Sequence, residues 1–121
     1  MGRFVYAASA SDAYPLDDRL LAHLELAIGT KFRLGDSFAL TLDGDHVPAG
    51  IGYHVLWMHP SISLQFRYDA DRRRIRINPA WVAALVASAS SDAGLRLVRE
   101  QDLPASGGAA PSGGGPRPLY G

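Results

Sequence analysis

The stretch that decides the fold is residues 53–77, which read YHVLWMHPSISLQFRYDADRRRIRI. Apolar and polar side chains alternate over residues 61–69, which is the period of a half-buried β-strand. The alternation resumes over residues 73–77, where isoleucines alternate with arginines. Tight turns are predicted at His59-Pro60 and around Ala70-Asp71. The stretch therefore predicts three strands at the middle of a sheet.

The last two of these strands form a predicted hairpin whose register is fixed by its side chains. A slip of one residue would place arginines among the isoleucines, so Phe66 is expected opposite Ile75. Arg67 then lies opposite Arg74 on the other face. A like-charge pair across two strands is destabilising. The hairpin therefore predicts a compensating carboxylate elsewhere in the fold, or an anion from outside.

The rest of residues 1–103 predicts a single α+β domain. Its element order is β-α-β-β-β-β-α-β, with a mainly antiparallel sheet and two helices packed on it. The first helix starts at Asp17 or Asp18, carries apolar side chains three and four residues apart, and ends before Gly35. Asparagine followed by proline is a strong start signal, so Asn78-Pro79 predicts the start of the second helix.

Two further stretches complete the predicted organisation. Residues 51–58 are apolar on both faces, which is typical of a strand at the centre of a sheet. From Pro104 onward the chain is rich in glycine and proline, so residues 104–121 are predicted to be a disordered tail.

Composition excludes several classes of protein. The chain has 121 residues with 12 basic and 12 acidic side chains, so its net charge is zero, unlike that of a dedicated nucleic-acid binder. A local basic patch is compatible with this balance. There is no cysteine, which excludes disulfides and thiolate chemistry. No secretory signal or membrane-length apolar run is evident, so a cytoplasmic protein without membrane contact is expected.

An arginine cluster on the predicted hairpin is the best candidate site. Alternate strand residues project from one face about 6–7 Å apart, which suits successive phosphates, and the arginine fork suits phosphate oxygens. The partner would be nucleic acid or an acidic protein surface. Alternatively, these arginines pair with Asp69, Asp71 or helix carboxylates, or simply face solvent. The candidate anion-binding residues are Arg67, Arg72, Arg74 and Arg76.

The sequence gives little support for a metal site or a catalytic site. Asp43, Asp45 and His46 cluster in one loop near His54 and His59, but their spacing matches no metal-binding loop.

The neighbouring hydroxyl groups do not form a recognisable nucleophile site. Ser61 and Ser63 adjoin His59 without the Gly-x-Ser-x-Gly elbow of a serine nucleophile. His23, on the first helix, is expected to be hydrogen-bonded or exposed. No catalytic residue, metal ion or cofactor is predicted.

A set of short segments occurs in a characteristic order along the chain. They are MGRFVY at 1–6, DRLLAHL at 18–24, KFR at 31–33 with SF at 37–38, WMHPSI at 57–62 with LQF at 64–66, NPAW at 78–81 and GL at 94–95. Through these segments, which span about residues 1 to 100, the chain resembles a family of small uncharacterised proteins from high-GC Gram-positive bacteria. Members of this family commonly carry the label ATP-dependent DNA ligase.

That label implies a lysine nucleophile within a Lys-x-Asp-Gly motif. Lys31 is the only lysine, and Phe32, Arg33 and Leu34 follow it, so the motif is missing.

Three hypotheses result. The preferred one is a non-catalytic binding or accessory module, which predicts that Arg67, Arg74 and Arg76 lie on one open face without carboxylates in reach. The second is a ligase or ligase-associated protein, which predicts a polar pocket around His59 or Lys31. The third is a homo-oligomer that pairs its sheet edges.

Overall fold

Two three-stranded sheets and two α-helices build the described part of the chain, residues 1–8 and 13–103 of this computed structural model. The predicted α+β class with two helices and mainly antiparallel pairing is confirmed, although the strands form two sheets. The tail predicted for residues 104–121 lies outside the described residues. The elements are β1 (Gly2–Tyr6), β2 (Ala13–Leu16), α1 (Asp18–Arg33), β3 (Phe38–Asp43), β4 (Tyr53–Met58), β5 (Leu64–Arg67), α2 (Pro79–Ala89) and β6 (Leu95–Arg96).

The first sheet has the strand order β2-β1-β5, and both of its pairings are antiparallel. The second has the order β4-β3-β6, with β4 antiparallel and β6 parallel to β3. The sequence did not predict β2, because Pro15 argues against a strand interior. Proline is tolerated there because β2 is an edge strand, where a missing N–H leaves no partner unbonded.

The predicted hairpin is wrong. β5 pairs with β1, placing Phe66 opposite Phe4 and Arg67 opposite Arg3. Arg72–Arg74 forms a 3₁₀ turn instead of the start of a strand. The turn is stabilised because the Asp71 side chain accepts a hydrogen bond from the Arg73 N–H at 3.0 Å.

The predicted central position of residues 51–58 is also wrong. β4 is an edge strand, and only Leu56 and Met58 of its side chains are buried. Its other face carries Tyr53, Val55 and Trp57, which are all exposed. In this chain, a strand with apolar residues on both faces is therefore covered on one face only.

A single core joins both sheets to the helices. α1 contributes the side chains predicted from its spacing, among them Leu21, Leu24 and Ile28, which are almost fully buried. They pack with Phe4 of the first sheet and Leu40 of the second in one apolar cluster. Each sheet therefore has one face on the core.

The start of α2 is fixed by a buried histidine. His23, which is 0% exposed, donates from Nδ1–H to the Arg19 carbonyl at 2.7 Å. Its Nε2 accepts the Asn78 N–H at 2.8 Å. Asn78 in turn caps α2 by accepting the Ala80 N–H through its side chain at 3.0 Å, as predicted. The ring also lies against Trp81, with centroids 4.3 Å apart. His23 is thus hydrogen-bonded and neutral.

A carboxylate extends this network to the C-terminal part of the domain. Glu100 accepts two hydrogen bonds from the Arg19 guanidinium, at 2.8 and 2.7 Å, and one from Asn78 Nδ2 at 3.0 Å. The bonds from Arg19, and then the bond from Asn78, lower the pKa of Glu100 to about 2. The 3₁₀ turn Glu100–Asp102 is thereby tied to both helices.

We expect stability to decrease on mild acidification because His23 is neutral in the fold. Burial lowers its pKa from the ordinary value of 6.5. As pH falls, the His23 imidazole is therefore protonated in the unfolded chain before it is protonated in the folded one. The contribution of neutral His23 to the free energy of unfolding is complete above pH 6.5 and is lost as pH falls through the folded-state pKa of His23. Urea unfolding at pH values between about 5 and 8 will measure it.

The histidine responsible can be identified with matched variants. His59→Gln, which removes an exposed histidine, should retain the decline in unfolding free energy. His23→Gln should abolish it while lowering stability at neutral pH. An unchanged pH dependence in His23→Gln would assign the effect to another group.

We further expect Gly94→Ala to be more destabilising than Gly35→Ala. Both glycines have positive φ, +80° and +77°, where a Cβ costs about 1–2 kcal/mol. A Cβ at Gly94 would also lie 2.7 Å from the Ala39 carbonyl oxygen, whereas Gly35 has open space around it. Urea unfolding should give Gly94→Ala an additional loss of about 1–3 kcal/mol. Equal losses would show that β6 yields to the added methyl group.

Candidate functional site

The candidate arginines lie at the end of β5, in a 3₁₀ turn and in the segment before α2, instead of on one hairpin face. Arg67, at the end of β5, is exposed and lies opposite Arg3 of β1, which is also exposed. The like-charge pair predicted for Arg67 is therefore present, with a different partner. The pKa of Asp69 is lowered by a hydrogen bond from the α-amino group of Met1 and further by the charge of Arg3. Asp69 thus offsets part of the charge of this pair.

Arg72 is held by groups of the domain itself. Its Nε donates to Glu25 Oε1 at 3.3 Å, and its guanidinium lies 5.7 Å from the centre of the Tyr68 ring. The Tyr68 hydroxyl donates to the same carboxylate at 2.5 Å. Burial, and then this hydrogen bond, raise the pKa of Tyr68. Arg72 therefore pairs with a helix carboxylate, which the sequence left open as the alternative.

Arg74 and Arg76 are more open. The Arg74 side chain is 89% exposed, and its Nε lies 4.0 Å from Asp71, at the outer limit of an ion pair. Arg76 is exposed, and its backbone carbonyl accepts a hydrogen bond from Arg19 at 2.6 Å. Within residues 1–8 and 13–103, neither Arg67 nor Arg76 forms an ion pair.

The regular spacing of guanidinium groups on one face of the predicted hairpin is absent because Arg72–Arg74 forms a 3₁₀ turn. Consecutive side chains in such a turn point about 120° apart, so they cannot share one face. The sequence also overlooked Arg73, which is 89% exposed and bonds Asp71 at 3.1 Å. Of the three arginines expected on one open face without carboxylates in reach, Arg67 and Arg76 form no ion pair among the described residues, and Arg74 lies at the outer limit of an ion pair with Asp71.

A polar groove of about 390 Å³ surrounds Lys31, as the second hypothesis expected. Lys31 is nevertheless only 8% exposed at its side chain. Its Nζ donates to Ser90 Oγ at 2.8 Å and pairs with Asp36 at 3.0 Å. Lys31 lies in the last turn of α1, and Ser90 is the C-cap of α2. The ammonium group therefore neutralises the partial negative charge at two helix ends.

His59 lies at an exposed turn. Its Nδ1 is 2.7 Å from Ser61 Oγ and accepts the Ser61 N–H at 3.1 Å. No carboxylate bonds the His59 ring in the part of the chain that the structure describes. These contacts stabilise a turn and lack the third group of a catalytic triad.

The described residues contain no group of three histidine or carboxylate side chains that could hold a metal ion. His54, one of the candidate metal ligands, instead lies with Nδ1 2.7 Å from the Tyr14 hydroxyl. None of the described helices is long and apolar enough to cross a membrane.

A family model for a domain of unknown function, DUF7882, matches residues 1–100. The chain belongs to this family. The match covers the same stretch as the resemblance found in the sequence, and its description names no ligase activity. No curated protein and no solved structure matches the chain.

The sequence interpretation missed an exposed apolar surface of this DUF7882 domain. We call Tyr53, Val55 and Trp57 the β4 face; they are 68%, 57% and 60% exposed. The signal in the sequence is that residues 51–58 are apolar on both faces, but this pattern is more typical of a central strand. Large exposed apolar patches are often found at interaction sites, which makes this face a candidate.

Proposed function

We propose that this DUF7882 protein is a non-catalytic binding module that docks the phosphate backbone of nucleic acid through exposed arginines. The observation that supports this is the state of Arg67 and Arg76, which are exposed and form no ion pair among the described residues. Arg67 also faces Arg3 across two strands. A phosphate bound between them would relieve a repulsion of roughly 0.2–1 kcal/mol.

The same guanidinium groups could bind carboxylates of an acidic protein. We favour phosphates because a backbone anion needs little ordering, whereas each Asp or Glu side chain loses rotamer freedom when it is held. The two parallel hydrogen bonds that arginine forms with an anion are common to phosphates and carboxylates, so they do not separate the two partners. Asp69 and Asp71 lie beside the arginines, so the domain has no strong long-range positive field. Binding should accordingly be weak and sensitive to salt.

We expect the protein to bind labelled single- and double-stranded DNA at low salt, with affinity falling as salt rises. Arg67→Ala/Arg76→Ala removes two candidate arginines that form no ion pair among the described residues. Each lost phosphate contact reduces the slope of log K against log salt by about 0.7 for single strands and 0.9 for duplexes. Fluorescence anisotropy at several salt concentrations gives this slope, which should fall by about 1.4 or 1.8 in the double variant.

The matched control is Arg33→Ala/Arg96→Ala, which removes two exposed arginines outside the candidate set that likewise form no ion pair within residues 1–8 and 13–103. It should change the slope little. Equal losses in both double variants would show that only net charge matters. An absence of binding at low salt would refute nucleic acid as the partner and would direct the search to acidic proteins.

The second candidate is the ligase activity implied by the family resemblance, and the groove around Lys31 is the observation that bears on it. A lysine nucleophile must present a free amine to the α-phosphorus of ATP. Lys31 Nζ is instead engaged with Asp36 and Ser90, and the Lys-x-Asp-Gly motif is missing. We therefore propose a structural role for Lys31.

We expect no covalent AMP on the protein after incubation with ATP and Mg²⁺, as measured by intact mass. Lys31→Met should lower the free energy of unfolding in urea by about 1–3 kcal/mol, because it leaves polar groups at two helix ends without their partner. An AMP adduct on the wild type that is missing from Lys31→Met would instead establish the enzyme.

A further inference from the structure

The β4 face is unusual for the outer side of an antiparallel sheet. Such a side normally carries polar residues, because it meets water. Here the positions opposite it on β3 are Ala39, Thr41 and Asp43, so the apolar side chains are concentrated on β4. Ile51, just before the strand, is 77% exposed as well.

The size of the patch approaches that of an interface centre. A fully accessible aromatic side chain presents roughly 150–250 Å². At 68% and 60% exposure, Tyr53 and Trp57 leave about 250–300 Å² uncovered. With Val55 and Ile51 the patch lies within the roughly 300–600 Å² of the largest patches on monomers, many of which are functional. A standard interface buries about 800 Å² per partner, of which the patch would supply the apolar centre.

The edge of β4 is less available than its face. The Tyr6 hydroxyl of β1 donates to the Trp57 carbonyl at 2.5 Å. This bond uses a backbone acceptor that an added strand would need. Pairing of sheet edges, the third hypothesis from the sequence, is disfavoured at this point of β4, whereas contact through the face is open.

We propose that the β4 face is the interface of a homodimer, occupied by a second copy of this chain. The face reads aromatic, aliphatic, aromatic along the strand, so a two-fold axis across Val55 places each Tyr53 over the Trp57 of the other copy. Such an interface is self-complementary, as two-fold symmetry requires. The net charge of zero adds no overall repulsion between copies. Asp43 and Arg96 lie toward the margins, which matches the polar rim of an interface.

The inference is independent of the proposed nucleic-acid contact, because the β4 face belongs to the second sheet and Arg67 to the first. A monomer could still bind DNA, and a dimer could fail to do so. The two proposals are therefore tested by different measurements.

The test is sedimentation velocity of the full chain from micromolar to submillimolar concentration, with two charge-introducing variants. Val55→Asp places a carboxylate at the centre of the β4 face. Leu34→Asp is the matched control, because Leu34 is 68% exposed at the end of α1 and lies outside that face. We expect a dimer in the wild type and in Leu34→Asp, and a dissociation constant raised at least about a hundredfold in Val55→Asp.

A second measurement on the wild type needs no variant to fold. The chain has two tryptophans, Trp81, which is 5% exposed, and Trp57, which is 60% exposed. Acrylamide quenching of tryptophan fluorescence therefore reports mainly on Trp57. We expect quenching to decrease as protein concentration rises and the dimer forms.

Three other outcomes would each contradict a homodimer formed through the β4 face. A dimer that persists in Val55→Asp with its fold intact would place the interface elsewhere. A monomer with Trp57 protected at every concentration would assign the β4 face to residues 104–121 of the same chain. A monomer with Trp57 accessible at every concentration would leave the face to a different protein.

Discussion

The fold depends on the buried imidazole of His23, because two elements that are distant in the chain meet at its two nitrogens. One nitrogen donates to α1, and the other accepts the backbone N–H of the residue that caps α2. Burying either ring nitrogen in the core without a hydrogen-bond partner would be costly. Arg19 and Glu100 extend the same junction to the last turn of the domain. The position of α2 over the core follows from these bonds together with the packing of Trp81.

The arrangement around this junction gives each sheet one buried and one outward face. The outward side of the first sheet carries Arg3 and Arg67, whereas that of the second carries the β4 face. The two surfaces differ in chemistry, since one is basic and the other is apolar. The polar groove at Lys31 is lined in part by the ion pair between Lys31 and Asp36, which lies where the two helices end.

The sequence correctly predicted features that depend on neighbouring residues and failed for those that depend on residues distant in the chain. Asn78-Pro79 starts α2 and Gly35 follows α1, as expected, because capping depends on residues within one turn. The alternation of apolar and polar side chains before Arg67 correctly predicted a strand, but it did not predict which strand pairs with it. Phe4 and Ile75 are both apolar and would both suit Phe66, but β5 pairs with β1. The segment after Asp71 instead contacts α1, through the Arg76 carbonyl and the Asn78 N–H.

The sequence by itself determined the α+β class, the two helices and most of the strands, since periodicity and caps are local properties. It also singled out Arg67, Arg72, Arg74 and Arg76 as candidate anion-binding residues, which stays a prediction. Only the tertiary structure decided that Arg67 faces Arg3, that Arg72 pairs with Glu25, and that β4 lies at an edge. The physical reason is that a side-chain pattern states which face is apolar, whereas the packing of distant segments decides whether anything covers it.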